Sequence, residues 1–181
     1  MRWRGLNHVE FSVLDYEASV AFYDRLFGWL GYRSFSTLGI GYRSTYYMAR
    51  FPLPHSYVGI QPARSGTRLR HAERTVGIHH VALWARARRE IDAFHRDFLL
   101  PAGVAVTEAP QEYAVYAPGY YAVFFDDPIN GIHWELAHIP RLPSLAAYRR
   151  WKQALAAEAA RHPEWGGDVM KRALRELPGR R

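Results

Sequence analysis

The first segment of the chain alternates strictly between apolar and polar residues. Within residues 6–13 one face carries Val9, Phe11 and Val13, and the other carries His8, Glu10 and Ser12. This period of two predicts a strand with one face on a core. Helical spacing follows, with Asp15 as its N-cap. Three short strands are then predicted around residues 32–38, 44–50 and 56–62, so this part of the chain is predicted to be a βαβββ unit.

The same pattern returns later in the chain. Three pairs of residues are 72 positions apart, namely His8 and His80, Phe22 and Phe94, and Gly31 and Gly103. At an offset of 74, Gln61 aligns with Glu135. A recurring offset predicts a duplicated architecture. We therefore expect one βαβββ module in residues 1–63, a polar and basic linker in residues 64–75, and a second module in residues 76–138.

The remaining residues, 139–181, follow a different pattern. Ser144 is placed to cap one amphipathic helix and Asp168 to cap another. We expect this extension to pack on the outside of the two modules or at a dimer interface. The expected fold class is α+β, with two paired βαβββ modules forming a cup-shaped barrel and a C-terminal helical extension.

Composition narrows the classes of function. The chain has no cysteine, so any metal must be held by nitrogen and oxygen ligands. The net charge of +7 comes mostly from arginines scattered along the chain, which disfavours nucleic-acid binding. The sequence predicts neither a signal peptide nor a membrane span. We expect a cytoplasmic protein that binds a small molecule, with a homodimer as an open alternative.

The repeat places candidate metal ligands at matching points of the two modules. His8 and His80 lie on the first strands, and the last strands carry Gln61 and Glu135, all on the face away from the helix. If the two sheets meet edge to edge, two imidazoles, an amide oxygen and a carboxylate converge. This set suits divalent Fe, Mn, Co, Ni or Zn, with open positions for substrate or water. The competing interpretation is a pair of partly buried histidines with no ligand role.

Three groups on the same face are candidates for catalysis: Glu10, His133 and Glu135. A base must lie within hydrogen-bond reach of the proton that it removes, and burial or a metal tunes its pKa. For Glu10 and His133 the alternative is a rim group or a hydrogen-bond partner of a ligand. Several aromatic residues are expected either to wall the pocket or to pack in the core: Tyr47, Trp84, Tyr113, Tyr116 and Tyr121.

These motifs resemble the vicinal oxygen chelate superfamily, which includes glyoxalase I, methylmalonyl-CoA epimerase, extradiol dioxygenases, and the fosfomycin and bleomycin resistance proteins. The resemblance covers roughly residues 5–138 and is carried by residues 6–9, 21–23, 78–81 and 119–125, with Asp127, Pro128 and Glu135. It implies a cup with a metal at its base, ligated by His8, Gln61, His80 and Glu135. That full set is similar to the epimerase branch. Without Gln61 the set is similar to the dioxygenase and fosfomycin branches.

Two features depart from the superfamily pattern. The turn at residues 127–131 is one residue longer than usual, and residues 33–50 lack the acidic residue expected of an epimerase base. The resemblance implies a divalent-metal lyase or isomerase that acts on an oxygen-chelating substrate through an enolate-like intermediate. An Fe(II) extradiol-type dioxygenase and a non-catalytic drug-binding resistance protein are the alternatives.

Overall fold

The first module is the predicted strand, helix and three strands. A computed structural model describes residues 6–39, 41–49 and 56–165. The elements of this module are β1 His8–Val13, α1 Tyr16–Trp29, β2 Arg33–Gly39, β3 Arg43–Met48 and β4 Tyr57–Pro62. The sheet has the order β1-β4-β3-β2, with β1 parallel to β4 and the other pairs antiparallel. Asp15 caps α1 as predicted, because its carboxylate accepts from the backbone N–H of Ala18 at 3.0 Å.

The second module repeats this arrangement. Its elements are β5 Val81–Trp84, α2 Arg88–Phe94, β6 Ala105–Glu112, β7 Tyr121–Asp126 and β8 His133–His138. The sheet order is β5-β8-β7-β6, which matches that of the first module. α2 continues into a π-helical turn at His95–Leu99, and the linker between the modules contains a short 3-10 turn at His71–Glu73.

The two sheets are separate hydrogen-bonded units in the described part of the chain. The expected cup is therefore held together by packing and is not a closed barrel. Trp134 on β8 is fully buried and lies 5.6–5.8 Å, between ring centroids, from Phe11 of β1 and from Tyr23 and Phe27 of α1. A side chain of the second module thus packs into the core of the first.

The long turn between β7 and β8 also joins the modules. Asn130 Oδ1 accepts from the backbone N–H of Leu14 at 2.8 Å, and Asn130 Nδ2 donates to Ser19 Oγ at 3.0 Å. Asp127 is buried and accepts from the Tyr23 hydroxyl at 3.1 Å. The polar side chains of this turn therefore contact Leu14 after β1 and two residues of α1.

The C-terminal extension begins with α3 Leu145–Arg161, which Ser144 caps as predicted by accepting from the N–H of Ala147 at 3.1 Å. Ala147 is the only buried residue of α3. Arg150 of this helix donates to Glu112 of β6 at 3.0 Å. The second helix, predicted from Asp168, lies outside the described residues. Within them, no helix has the length and apolar character needed to cross a bilayer.

Candidate metal centre

The candidate centre is built around a buried carboxylate and an imidazole. The register of β5 and β8 sets Ala82 opposite Glu135, so His80 lies just before this pair on the same face. Glu135 is 2% exposed, and its Oε2 lies 3.2 Å from His80 Nε2. A buried carboxylate needs a charged or hydrogen-bonding partner to offset its lost hydration. The structure thus brings together two of the four predicted ligands.

Tyr120 holds the second oxygen of this carboxylate. Its hydroxyl donates to Glu135 Oε1 at 2.5 Å, and burial together with this hydrogen bond raises the pKa of Tyr120, so the phenol keeps its proton. Tyr120 was not among the predicted site residues. Strand parity could have identified it, because Tyr120 shares the face of Ala122 and Phe124, and Phe124 lies opposite Glu135.

Four histidines, His71, His79, His80 and His133, form a connected cluster next to Glu135. His79 Nδ1 and His80 Nδ1 are 2.7 Å apart, and the His71 ring stacks on His133 at 3.6 Å. Loss of hydration and the positive charge of neighbouring basic groups lower the pKa of His79. The sequence pattern did not indicate a role for His71 or His79. His71 lies in the linker and contacts His133 only in the folded chain.

His133, a predicted catalytic group, is 6% exposed and lies between His71 and the ring of Phe124. Its Nδ1 donates to Asp126 at 2.7 Å, which leaves Nε2 as an acceptor in the neutral ring. Burial lowers the pKa of His133, and the hydrogen bond to Asp126 offsets only part of this effect. The imidazole is therefore neutral at neutral pH and is oriented by a carboxylate, as a general base requires.

His8 lies apart from this group. Its ring stacks on Tyr57 at 4.7 Å, its Nδ1 is 2.7 Å from Asn7, and its Nε2 is 3.8 Å from Glu10. Each of these contacts is within the first module. In the described part of the chain, no three His, Cys, Asp or Glu side chains converge as a group able to hold an ion. Ligation by His8 stays a prediction.

The register corrects the alignment of Gln61 with Glu135. In the first module Glu10 lies opposite Gly59, as Ala82 lies opposite Glu135 in the second. Gly59 therefore occupies the position of Glu135, and Gln61 lies two residues further along, opposite Ser12. The Oε1 atom of Gln61 is buried without a hydrogen-bond partner. It is a free oxygen donor on the predicted face, and its role as a ligand also stays a prediction.

Glu10 covers the position that Gly59 leaves empty. A Cβ atom on Gly59 would lie 2.9 Å from Glu10 Cγ and 3.0 Å from the Tyr46 ring. A larger residue at this position would require the Glu10 and Tyr46 side chains to move. Glu10 is thus a partly exposed carboxylate beside His8, and no described contact links it to the His80 and Glu135 pair.

Some of the predicted aromatic residues pack on the helix side of the sheets, and others lie near the candidate metal centre. Tyr47 is 1% exposed and packs against Phe27 of α1, while the Tyr121 hydroxyl donates to Asp92 of α2 at 2.8 Å. Both therefore lie on the helix side of their sheets. Tyr113 stacks on Tyr116 at 5.6 Å and packs against Phe124, on the face that carries Glu135. Trp84 is 76% exposed and lies at the edge of the second sheet.

The pair formed by His80 and Glu135 fits two ligands of one divalent ion. Metal bonds of about 2.1 Å at angles of about 90–109° separate two donor atoms by roughly 3.0–3.4 Å, and the observed separation is 3.2 Å. When His80 Nδ1 donates to His79, Nε2 carries the lone pair that faces the carboxylate. Two acceptors then face each other, an arrangement that a cation stabilises.

A sequence model of the Glyoxalase/Bleomycin resistance protein/Dioxygenase superfamily matches residues 5–136, and the chain belongs to this superfamily. No functionally curated protein matches the chain.

Solved structures share the fold. A putative glyoxalase from Bacillus halodurans is 26% identical, with a TM-score of 0.59 over 74% of this chain and 95% of that one. A glyoxalase/bleomycin resistance protein/dioxygenase domain from Frankia sp. EAN1pec is 18% identical, with a TM-score of 0.58 over 77% and 95% of the two chains. The fosfomycin resistance protein FosX from Listeria monocytogenes, complexed with Mn(II) and sulfate, is 18% identical, with a TM-score of 0.52 over 77% and 96%.

Proposed function

We propose that this protein is a divalent-metal-dependent enzyme with lyase or isomerase activity on a small oxygen-chelating substrate. The observation that carries the proposal is the buried Glu135 carboxylate, held 3.2 Å from His80 Nε2 and fixed by Tyr120. Protein interiors rarely enclose a carboxylate unless it is paired or binds a metal. Membership of the superfamily supports this assignment, since Mn(II) is bound in the structure of its member FosX.

The residues at the centre have separate roles in this proposal. His80 and Glu135 hold the ion, with His8 as the expected third ligand and Gln61 as a further donor. A bound divalent ion would supply Lewis acidity toward two substrate oxygens. Tyr120 fixes Glu135 by its hydrogen bond, so that the carboxylate keeps one orientation.

Proton transfer is assigned to His133. Its Nδ1 is bonded to Asp126, and its ring centroid lies 6.3 Å from that of His80. Nε2 is then the base that removes a proton next to a carbonyl of the substrate, which leaves an enolate-like charge on the substrate oxygen. Glu10 is the second candidate base, placed beside His8 at the opposite module. Glu135 is assigned to the ion rather than to proton transfer.

Metal titration of single-residue variants tests the proposal. Calorimetry with Mn(II), Ni(II) and Zn(II) is expected to give one tight site in the unaltered chain. Glu135→Gln and His80→Ala should lower the affinity by about 100-fold or more, because each removes a ligand rather than a neighbour of one. Gln61→Ala should have a much smaller effect, since it lies two positions beyond the site of Glu135. An unchanged affinity in His80→Ala would refute the site.

Two assays separate the rival functions. The set His8, His80 and Glu135 is also the two-histidine, one-carboxylate set of Fe(II) oxygenases. Oxygen uptake by the Fe(II)-loaded protein with a catechol would therefore favour the dioxygenase. If none of the ions stabilises the protein thermally, a non-catalytic drug-binding protein is favoured and the enzyme proposal fails.

A further inference from the structure

A small cavity next to the candidate metal centre is lined by basic side chains. It has a volume of about 70 Å³ and lies between the linker and the turn before β8. Its ionisable lining residues are Arg70, His71, Arg74, His79 and His133, and no acidic residue is among them. This volume has room for a few water molecules, or for one small oxyanion group.

The positive charge of this cavity is only partly balanced. Arg70 pairs with Glu73 at 3.2 Å, and both side chains are exposed. The carboxylate of Asp126 is already bonded to His133. Within the described residues, Arg74 forms no ion pair, so one lining residue of the cavity carries a positive charge without a carboxylate partner. A concave site whose net charge has one sign attracts ligands of the opposite sign, and here that charge comes from the arginines.

The backbone at Arg74 adopts the left-handed conformation, which is uncommon for residues other than glycine. Arg74 has a φ of 47°, and it is the single residue other than glycine with a positive φ in the described part of the chain. Such a residue costs about 1 kcal/mol or more and persists only where the surroundings require it. The conformation ends the 3-10 turn at His71–Glu73 and places Arg74 in the lining of the cavity.

The opposite wall is fixed by a close approach of two backbones. A Cβ atom on Gly131 would lie 2.1 Å from the carbonyl oxygen of Leu69, so this position accepts glycine alone. The N–H of Leu69 donates to the carbonyl of Asn130 at 2.8 Å. The linker is thus held against the turn, and the cavity between them is a fixed part of the fold.

We propose that this cavity binds an oxyanion group of a small molecule, a phosphate, phosphonate or carboxylate, with Arg74 as its main cation. The proposal rests on the proposed function, because the bound group is then the anionic end of the substrate. His79 and His133 line the cavity, and both neighbour His80, with Nδ1 atoms 2.7 Å apart in one case and ring centroids 6.3 Å apart in the other. A compact acid is therefore placed with its other oxygens toward His80 and Glu135.

Arg74→Gly tests the site without damaging the fold. Glycine adopts a positive φ freely, so the variant should remain folded with an equal or higher melting temperature. Calorimetry uses the full chain after treatment with a chelator, with inorganic phosphate, methylphosphonate and acetate as probes at constant ionic strength. We expect saturable 1:1 binding of at least one probe, weakened about tenfold or more in Arg74→Gly. The tightest probe identifies the class of oxyanion.

Arg64→Gly is the matched control, since it removes the same charge from the same linker outside the cavity. If both variants lose the same anion affinity, the effect comes from the overall charge of the protein, and the proposed anion site is wrong. If the anion binds only after Mn(II) is added, it binds to the metal ion and not to the cavity, and the proposed site is again wrong. Glu135→Gln separates the two proposals: it should lose metal and retain the anion, whereas Arg74→Gly should lose the anion and retain metal.

Discussion

At the scale of single residues, a hydrogen bond from one tyrosine orients the Glu135 carboxylate. Tyr120 and Tyr121 are adjacent, but Tyr120 donates to Glu135 and Tyr121 donates to Asp92 of α2. The alternation of a strand explains this division, since neighbouring side chains point to opposite faces. Of these two tyrosines, only Tyr120 contacts the candidate metal ligand Glu135.

This pair of tyrosines gives a matched test. Tyr120→Phe should lower metal affinity by about 10- to 100-fold, because the carboxylate loses the hydrogen bond that orients it. Tyr121→Phe should leave metal affinity unchanged, although it also removes a hydrogen bond from a tyrosine hydroxyl to a carboxylate. Titration of both variants with Mn(II) measures the difference. Equal affinities would show that Tyr120 has no positioning role.

The sequence pattern predicted that His80, Glu135 and His133 share one face, but it did not indicate all of the residues that lie beside them. His80 and Glu135 were found from strand parity, which the structure retains. Gln61 was misaligned because the two modules differ by insertions, and an insertion of two residues changes the position along a strand without changing the face. His71 could not be predicted for another reason. It lies in the linker and stacks on His133 only in the folded chain.

At the scale of elements, α3 is held to the second module mainly by charge. Ala147 is its only buried residue, and Arg150 donates to Glu112, which Arg88 also contacts at 2.9 Å. Burial alone would raise the pKa of Glu112, but the hydrogen bonds and charges of Arg88 and Arg150 outweigh burial and lower it. The cap and apolar spacing predicted this helix, but no sequence pattern indicated the residue to which it is attached.

The docking of α3 should therefore depend on pH. A carboxylate with a lowered pKa in the folded state contributes stability above its ordinary pKa, and this contribution is lost as the pH falls through the lowered value. Protection of α3 amides from hydrogen exchange should decrease as the pH falls below about 4.5, after correction for the intrinsic exchange rate.

Glu112→Gln should reduce the protection of α3 about fivefold at neutral pH, because a partly exposed ion pair contributes about 1 kcal/mol or less. The variant should also remove the pH dependence. Glu108→Gln is the control, since Glu108 lies on the same strand and accepts from Tyr113 instead of from α3. If Glu112→Gln leaves exchange in α3 unchanged, another contact holds the helix.

At the scale of the whole molecule, the position of the site depends on how the two modules are joined. Within the described residues the sheets share no hydrogen-bonded strand pair, so side-chain packing such as that of Trp134 and the Asp127 to Gly131 turn join the modules. The repeat predicted two similar modules, because each has its own periodic pattern. It did not predict the joint, which uses side chains that occur in only one copy.

Asn130 is the polar part of this joint, and its removal should weaken the whole protein. Asn130→Ala leaves the N–H of Leu14 and the hydroxyl of Ser19 without their partner, which predicts a loss of about 2–3 kcal/mol in the free energy of unfolding. Ser19→Ala loses only one of the two bonds and should cost about 1 kcal/mol. For a chain of this length, these losses lower the melting temperature by roughly 2–4 °C per kcal/mol.

Urea unfolding monitored by tryptophan fluorescence measures both changes, since Trp134 reports on the contact between the modules. A single transition that moves to lower urea at constant slope indicates that the modules unfold together. Because the candidate ligands His8 and His80 lie on different modules, metal affinity should fall in Asn130→Ala, although this residue touches neither histidine. If Asn130→Ala destabilises no more than Ser19→Ala and metal affinity is unchanged, the turn does not set the relation of the modules.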